Sequence, residues 1–162
     1  MRPVDARELQ QLEQTLHAEI PLTRAMDIRV LGFDARGLML GAALAPNLNH
    51  KKTAFGGSLN SLATLACWGL IQLLVRERGR PITVVIQESR VQYLAPVTHD
   101  MQAYCPLPPG LEVEKFLHTL ERKGRARLEL EATIATDTRT AVSFRGRFVA
   151  YDKTRFRRVE PV

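Results

Sequence analysis

Leu9, Leu12, Leu16 and Ile20 recur at helical spacing between Asp5 and Pro21, which predicts an amphipathic helix that stops at the proline and covers a sheet edge or face. Ile28 to Phe33 and Leu38 to Leu44 read as strands around Asp34-Ala-Arg-Gly37, a first hairpin. Thr53 to Val75 then carries no charge, and a long helix is predicted from about Ser58 to Arg76, ended by Gly79-Arg-Pro81. A β-branched strand follows from Ile82 to Tyr93, and a shorter one from about Asp100 to Cys105. Leu111, Phe116, Leu117 and Leu120 lie on one face of a second helix whose C-cap is Gly124. From Arg125 the pattern becomes strict alternation. Ala126, Leu128, Leu130, Ala132 and Ile134 face one way, and after a turn at Asp137 to Thr140 a return strand sets Val142, Phe144, Phe148 and Ala150 opposite Arg145 and Arg147.

One long apolar helix and about six strands without parallel crossovers make an α+β domain, an antiparallel sheet wrapped around a central helix. Across 162 residues no Gly, Ser or Pro run marks a linker and nothing repeats, so residues 1–162 are read as one domain. The uncharged stretch is long enough to raise the question of a membrane span. Asn60, Ser61, Thr64 and Gln72 interrupt it, however, and a helix apolar nearly all round equally fits a soluble core, so no span is expected. The N-terminus lacks a signal peptide's apolar region, and Cys67 and Cys105 form no disulfide framework, so a reduced, cytoplasmic protein is expected.

The formal charge of +6 favours anionic partners, with basic clusters at Arg76/Arg78/Arg80, Arg122/Lys123/Arg125/Arg127 and Lys153/Arg155/Arg157/Arg158. Each cluster reads equally well as a solvated face. Nucleic acid is not the expected partner, because the clusters are not interleaved with exposed aromatic residues. His17, His50, His99 and His118 show no ligand spacing with Cys or acids, so no metal is expected.

Chemistry concentrates between Asn47 and Trp68. There a polar loop runs through Gly56 and Gly57 into the long helix, whose first N–H groups have no internal partner and carry the positive end of its dipole. Two residues without side chains let an oxygen approach closely, which suits a carbonyl that becomes negative during reaction. Asn60, Ser61, Thr64, Trp68 and Gln72 gather on the arc of the helix that also holds Gly57. That stripe either lines a ligand cleft or satisfies its own polar groups against neighbouring backbone.

The loop resembles the Asn-x-x-Gly-Thr-x-His-Gly-Gly run that opens the central helix of hotdog-fold acyl-CoA thioesterases. More closely it resembles the thioesterase domain found C-terminal to an acetyltransferase in some bacterial proteins. Tyr93-Leu-Ala-Pro-Val97 and Lys123-Gly-Arg125 support the likeness. The resemblance implies a hotdog fold and hydrolysis of an acyl thioester carried on coenzyme A or acyl carrier protein. Coenzyme A is then part of the substrate and no other cofactor is needed. It puts Asn49, Thr53, Gly56 and Gly57 at matching positions, with the Gly57 N–H polarising the carbonyl, while Phe55 replaces the usual His. Thr64 stands where many relatives carry an acid, and a Thr hydroxyl orients water but cannot serve alone as base.

Glu88, mid-strand in an expected interior position, is therefore the candidate base; its alternative is an ion pair with Arg90 or an Arg of a neighbouring strand. Trp68 and Tyr93 line an acyl channel or simply belong to the core. Lys123 and Arg125 stand where similar proteins contact coenzyme A phosphates, or are solvated turn charges. A sheet wrapped around one helix leaves strand edges open, so a homodimer or higher homo-oligomer is expected. The competing function is a non-catalytic module that binds acyl-CoA or an acyl carrier, favoured by the missing helix acid.

Overall fold

The computed structural model describes residues 4–137 and 139–155, so Arg157, Arg158 and Thr138 lie outside the described residues. Helix α1, Ala6–Glu19, opens on a capping box in which Asp5 accepts from the Glu8 N–H at 2.9 Å and Glu8 accepts from the Asp5 N–H at 3.0 Å. Pro21 ends the run and starts a short helix, α2, Pro21–Ala25, since its fixed φ and missing N–H suit a first helical position. Strands β1, Ile28–Asp34, and β2, Gly37–Ala42, form the predicted hairpin.

Helix α3 runs Gly56–Val75, two residues earlier than the apolar pattern alone indicates, so the glycine pair is inside it. Strands β3, Ile82–Tyr93, and β4, Met101–Pro106, follow, then α4, Gly110–Lys123. Gly124, at φ 69°, supplies the left-handed C-cap that turns the chain into β5, Arg125–Ala135, and β6, Thr140–Asp152.

All pairings are antiparallel, in the order β1-β2-β4-β5-β6-β3. β3 is thus an edge strand although it stands mid-chain. Ala126, Leu128, Leu130, Ala132 and Ile134 of β5 and Val142, Phe144, Phe148 and Ala150 of β6 are buried against α3, as the alternation requires. The sheet curls around α3, which is the hotdog architecture. β4 and β5 pair only at Ala103–Ile134 and Tyr104–Thr133, and α4 packs on β5 through Phe116 and Leu120. Of the apolar window in Gly56–Arg78, 67% is buried inside the domain, so the one described helix long enough for a membrane is its core.

At the C-terminal end of α3, Asp152 is a buried carboxylate that accepts from the Thr154 hydroxyl at 2.6 Å and the Thr154 N–H at 2.8 Å. Arg80 and Arg155 stand 3.6 and 4.0 Å from it. Those Thr154 bonds foremost, with the two guanidiniums, hold its pKa below the usual carboxylate value.

Candidate active site

The loop before α3 is tied to the sheet by its own amides. Asn47, 3% exposed, donates from Nδ2 to the Met26 and Ala43 carbonyls at 2.9 and 2.7 Å, and its own carbonyl accepts from the Phe55 N–H at 2.7 Å. Asn49 donates to Thr53 Oγ1 at 2.9 Å and accepts from the Lys51 N–H at 2.8 Å, while the Ala54 N–H reaches the Val97 carbonyl at 2.8 Å. The Asn49 side chain is therefore spent on folding the loop. His50, Lys51 and Lys52 point to solvent.

This loop delivers the chain to a helix start without a side-chain cap, since Phe55 at the N-cap has no acceptor. The N–H groups of Gly56, Gly57 and Ser58 meet no acceptor among the described residues. Gly57 is exposed, and the exposed Phe55 ring lies where a Gly57 Cβ would stand. The Tyr93 hydroxyl donates to the Gly56 carbonyl at 3.1 Å and fixes the end of β3 beside the helix start.

Twelve of the twenty residues of α3 are buried, and beyond its first turn the half-buried ones are those of the predicted stripe: Asn60, Ser61, Thr64, Trp68 and Gln72. Asn60 Oδ1 is buried without a partner. Trp68 donates from Nε1 to the Val84 carbonyl at 3.1 Å, which ties α3 to the first residues of β3. Gln72 leaves this surface and lines a small cleft against α1 with Glu8 and Gln11.

The interior position expected for Glu88 is not observed. Register shifts between Ile86 and Glu88, so Val84, Ile86, Ser89, Val91 and Tyr93 share the helix side while Glu88 and Arg90 point to the outer face. The Glu88 carboxylate is 69% exposed there and accepts from Arg147 at 3.0 Å. It joins a ladder in which Arg147 and Arg145 also reach Glu129, at 2.7 and 2.8 Å. These hydrogen bonds, Arg147's first, pull the Glu129 pKa below its ordinary value. A cleft of about 340 Å³ lies on this ladder and one of about 470 Å³ over Leu31, Met39 and Tyr104, both on the outer face.

The bulge was readable as a parity break, because the apolar positions Val84 and Ile86 are even and Val91 and Tyr93 odd. It brings Ser89 to the helix side, a residue the motif does not single out. Asn47 opens the polar loop in the sequence, but its buried, loop-tying part was not singled out there, since with Asn49 two residues on nothing local distinguishes the two amides.

Lys123 ends α4 and Arg125 opens β5, the strand start at which the sequence placed them. Arg125 sits beside Tyr151 and, beyond it, Thr83, at the far end of α3. With 20 residues in that helix, the separation is about 30 Å at ~1.5 Å per residue. Cys67 and Cys105 are both fully buried. Burial first, then the neighbouring Cys105 thiol, pushes the Cys67 thiol well above its usual range, so it stays protonated and unreactive. Among the described residues no three of His, Cys, Asp and Glu gather as a metal site would require.

Residues 9–152 match the family model described as "Putative thioesterase (yiiD_Cterm)". The chain belongs to this thioesterase family. A protein of unknown function from Chlorobaculum tepidum shares 35% identity with it over 88% of this chain and 93% of that one, at a TM-score of 0.85. A protein from Shewanella oneidensis described as a "putative thioesterase" shares 30% identity over 88% and 96%, at 0.78. A "probable thioesterase" from Pseudomonas aeruginosa, at 16% identity over 93% and 97% with a TM-score of 0.76, shares the fold. Within this thioesterase family member, the Gly56–Gly57 helix start, whose N–H groups meet no acceptor among the described residues, runs directly into the half-buried polar residues Asn60, Ser61 and Thr64.

Proposed function

We propose that this protein hydrolyses an acyl thioester carried on coenzyme A or acyl carrier protein. The observation that carries this is the uncapped, side-chain-free helix start at Gly56–Gly57 in a chain of the thioesterase family. The thioester carbonyl oxygen accepts from the Gly57 N–H, where the helix dipole favours the charge that grows as water adds to the carbonyl carbon. Thr64, Ser89 and the unpartnered Oδ1 of Asn60 orient that water. The tetrahedral adduct then breaks its C–S bond, giving a carboxylic acid and a thiolate, which takes up the proton lost by the attacking water and leaves as the thiol. Phe55, Tyr93 and Ile86 offer apolar surface to the acyl group, and Trp68 ends its groove.

Glu88 is not given the part of base, since it lies across the sheet from this groove. Asn49 and Thr53 act by holding the loop. The groove is open along β3, where Ile86 and Tyr93 are 40% and 52% exposed, and a second copy of this chain closes it as a homodimer. The buried free thiols suit a reducing cytoplasm.

The second reading is an acyl-CoA or acyl-carrier binding module without turnover. It is favoured by one observation: the stripe on α3 holds hydroxyls and an amide but no carboxylate. Release of free thiol from short, long and aromatic acyl-CoA thioesters separates the two.

A further inference from the structure

The bulge at Gln87 turns Arg90 onto the outer face and sets it directly opposite Arg145 of β6. Directly opposed residues of an antiparallel pair hold their Cβ atoms about 4.5–5.5 Å apart, and like charges in that position destabilise the pair. The neighbouring row is arranged differently. There Arg147 lies between Glu88 on one side and Glu129 on the other, bonded to both. In the Arg90 row the acid is Glu131, beyond Arg145, 4.0 Å from it and 68% exposed. Arg145 takes its close contact diagonally, from Glu129 at 2.8 Å, and among the described residues no hydrogen bond or ion pair reaches Arg90.

We propose that Arg90 and Arg145 hold the phosphate group of a small phosphate monoester on the outer face of the sheet. The cleft of about 340 Å³ on the charge ladder is lined by both arginines. Its floor between the two rows is backbone, because the Ser89 side chain turns inward and a Cβ on Gly146 would strike the inner rings of Phe144 and Phe148. An anion can therefore settle between the guanidiniums without meeting a side chain from below. In the next row Gln92 and Ser143 face each other, an amide and a hydroxyl that can donate to further oxygens.

The donor set and the charge favour phosphate over carboxylate. Guanidinium forks match phosphate oxygens bidentately, and the amide and hydroxyl serve a group with more than two oxygens. Glu88 and Glu129 are already bonded to arginines, whereas Arg125 and Arg127, on the same face of β5, form no ion pair among the described residues. The face thus keeps a surplus of positive charge that suits a dianion. This site lies across the sheet from the helix start at Gly57 and does not depend on the thioesterase reading.

Thermal denaturation at fixed ionic strength, in chloride and with inorganic phosphate replacing part of it, tests the site. A millimolar dissociation constant implies a rise of about 3–5 °C in Tm from about 10 mM phosphate. Phosphate also favours compact states by exclusion from protein surface, but Arg90→Gln shares that effect, so the difference between the two proteins reads the site. Arg90→Gln and Arg145→Gln should each lose most of the rise, and Arg125→Gln should keep it. In dilute chloride Arg90→Gln should melt no lower than the wild type, since it relieves the opposed charges. An equal rise in wild type and Arg90→Gln, or a rise lost in Arg125→Gln instead, overturns the site. The same Arg90-dependent rise from acetate overturns the assignment to phosphate.

Discussion

Gly57→Ala separates chemistry from folding. Gly57 has ordinary helical backbone, so Ala meets no conformational strain there and gains part of the about 0.5–1 kcal/mol of helix preference that an interior position would give. Its methyl group would overlap the Phe55 ring, which is 56% exposed and free to swing outward. Losing that partial cover forfeits about 1 kcal/mol, a fraction of the ~1.5–3 kcal/mol of a fully buried Phe. The two effects nearly cancel, so the melting temperature should move by no more than about 4 °C for a chain of this size. Because a helical Cβ leans toward the N-terminus, the same methyl group crowds the approach to the Gly57 N–H. Losing one such donor costs about 10²–10³ in kcat, or ~2.7–4 kcal/mol. Thiol release and thermal denaturation measured on the same preparation read both numbers, and Phe55→Ala, which clears the approach, should keep or raise kcat. Turnover within threefold of wild type in Gly57→Ala would refute the oxyanion role.

Three further outcomes follow from the geometry. Glu88→Gln, assayed at concentrations that saturate association, should keep turnover within about threefold; a fall of the ~10²–10⁴ typical of general-base loss would return Glu88 to the chemistry. Asn49→Ala removes the side-chain bonds to Thr53 and Lys51 and should lower stability by about 1–3 kcal/mol in chemical denaturation, with no loss counting against its loop-holding part. Asp152 has a depressed folded pKa, so its carboxylate stabilises the fold above the ordinary carboxylate pKa near 4, and that stabilisation is lost as pH falls through the folded value. The stability gap between wild type and Asp152→Asn should thus be full at neutral pH and shrink under acid, and a gap independent of pH would exclude the linkage.

Period-2 alternation in β5 and β6 left no freedom about their buried faces, and the uncharged stretch into Val75 located the central helix because only a core accepts it. The helix start was legible for the same reason: paired glycines ahead of an apolar run have few other uses. Strand order was not legible. Nothing local in Ile82–Tyr93 says that β3 pairs with the last strand and lies at the edge. Glu88 was misplaced because strict alternation carried past a bulge assigns the wrong face, and only the switch of apolar parity between Ile86 and Val91 betrays it. Lys123 and Arg125 were placed at a strand start by motif position, and that start is where β5 begins; which end of α3 it faces was not legible, because that depends on strand order.

Free-thiol release by the wild-type protein from short, long and aromatic acyl groups, on coenzyme A and on acyl carrier protein, with binding followed by calorimetry on the same samples, tests the thioesterase reading most directly. Turnover of at least one acyl class, lost in Gly57→Ala while the fold persists, is the predicted result. Tight binding of the thioesters with no thiol released above the uncatalysed rate would contradict it and leave the acyl-binding module in its place.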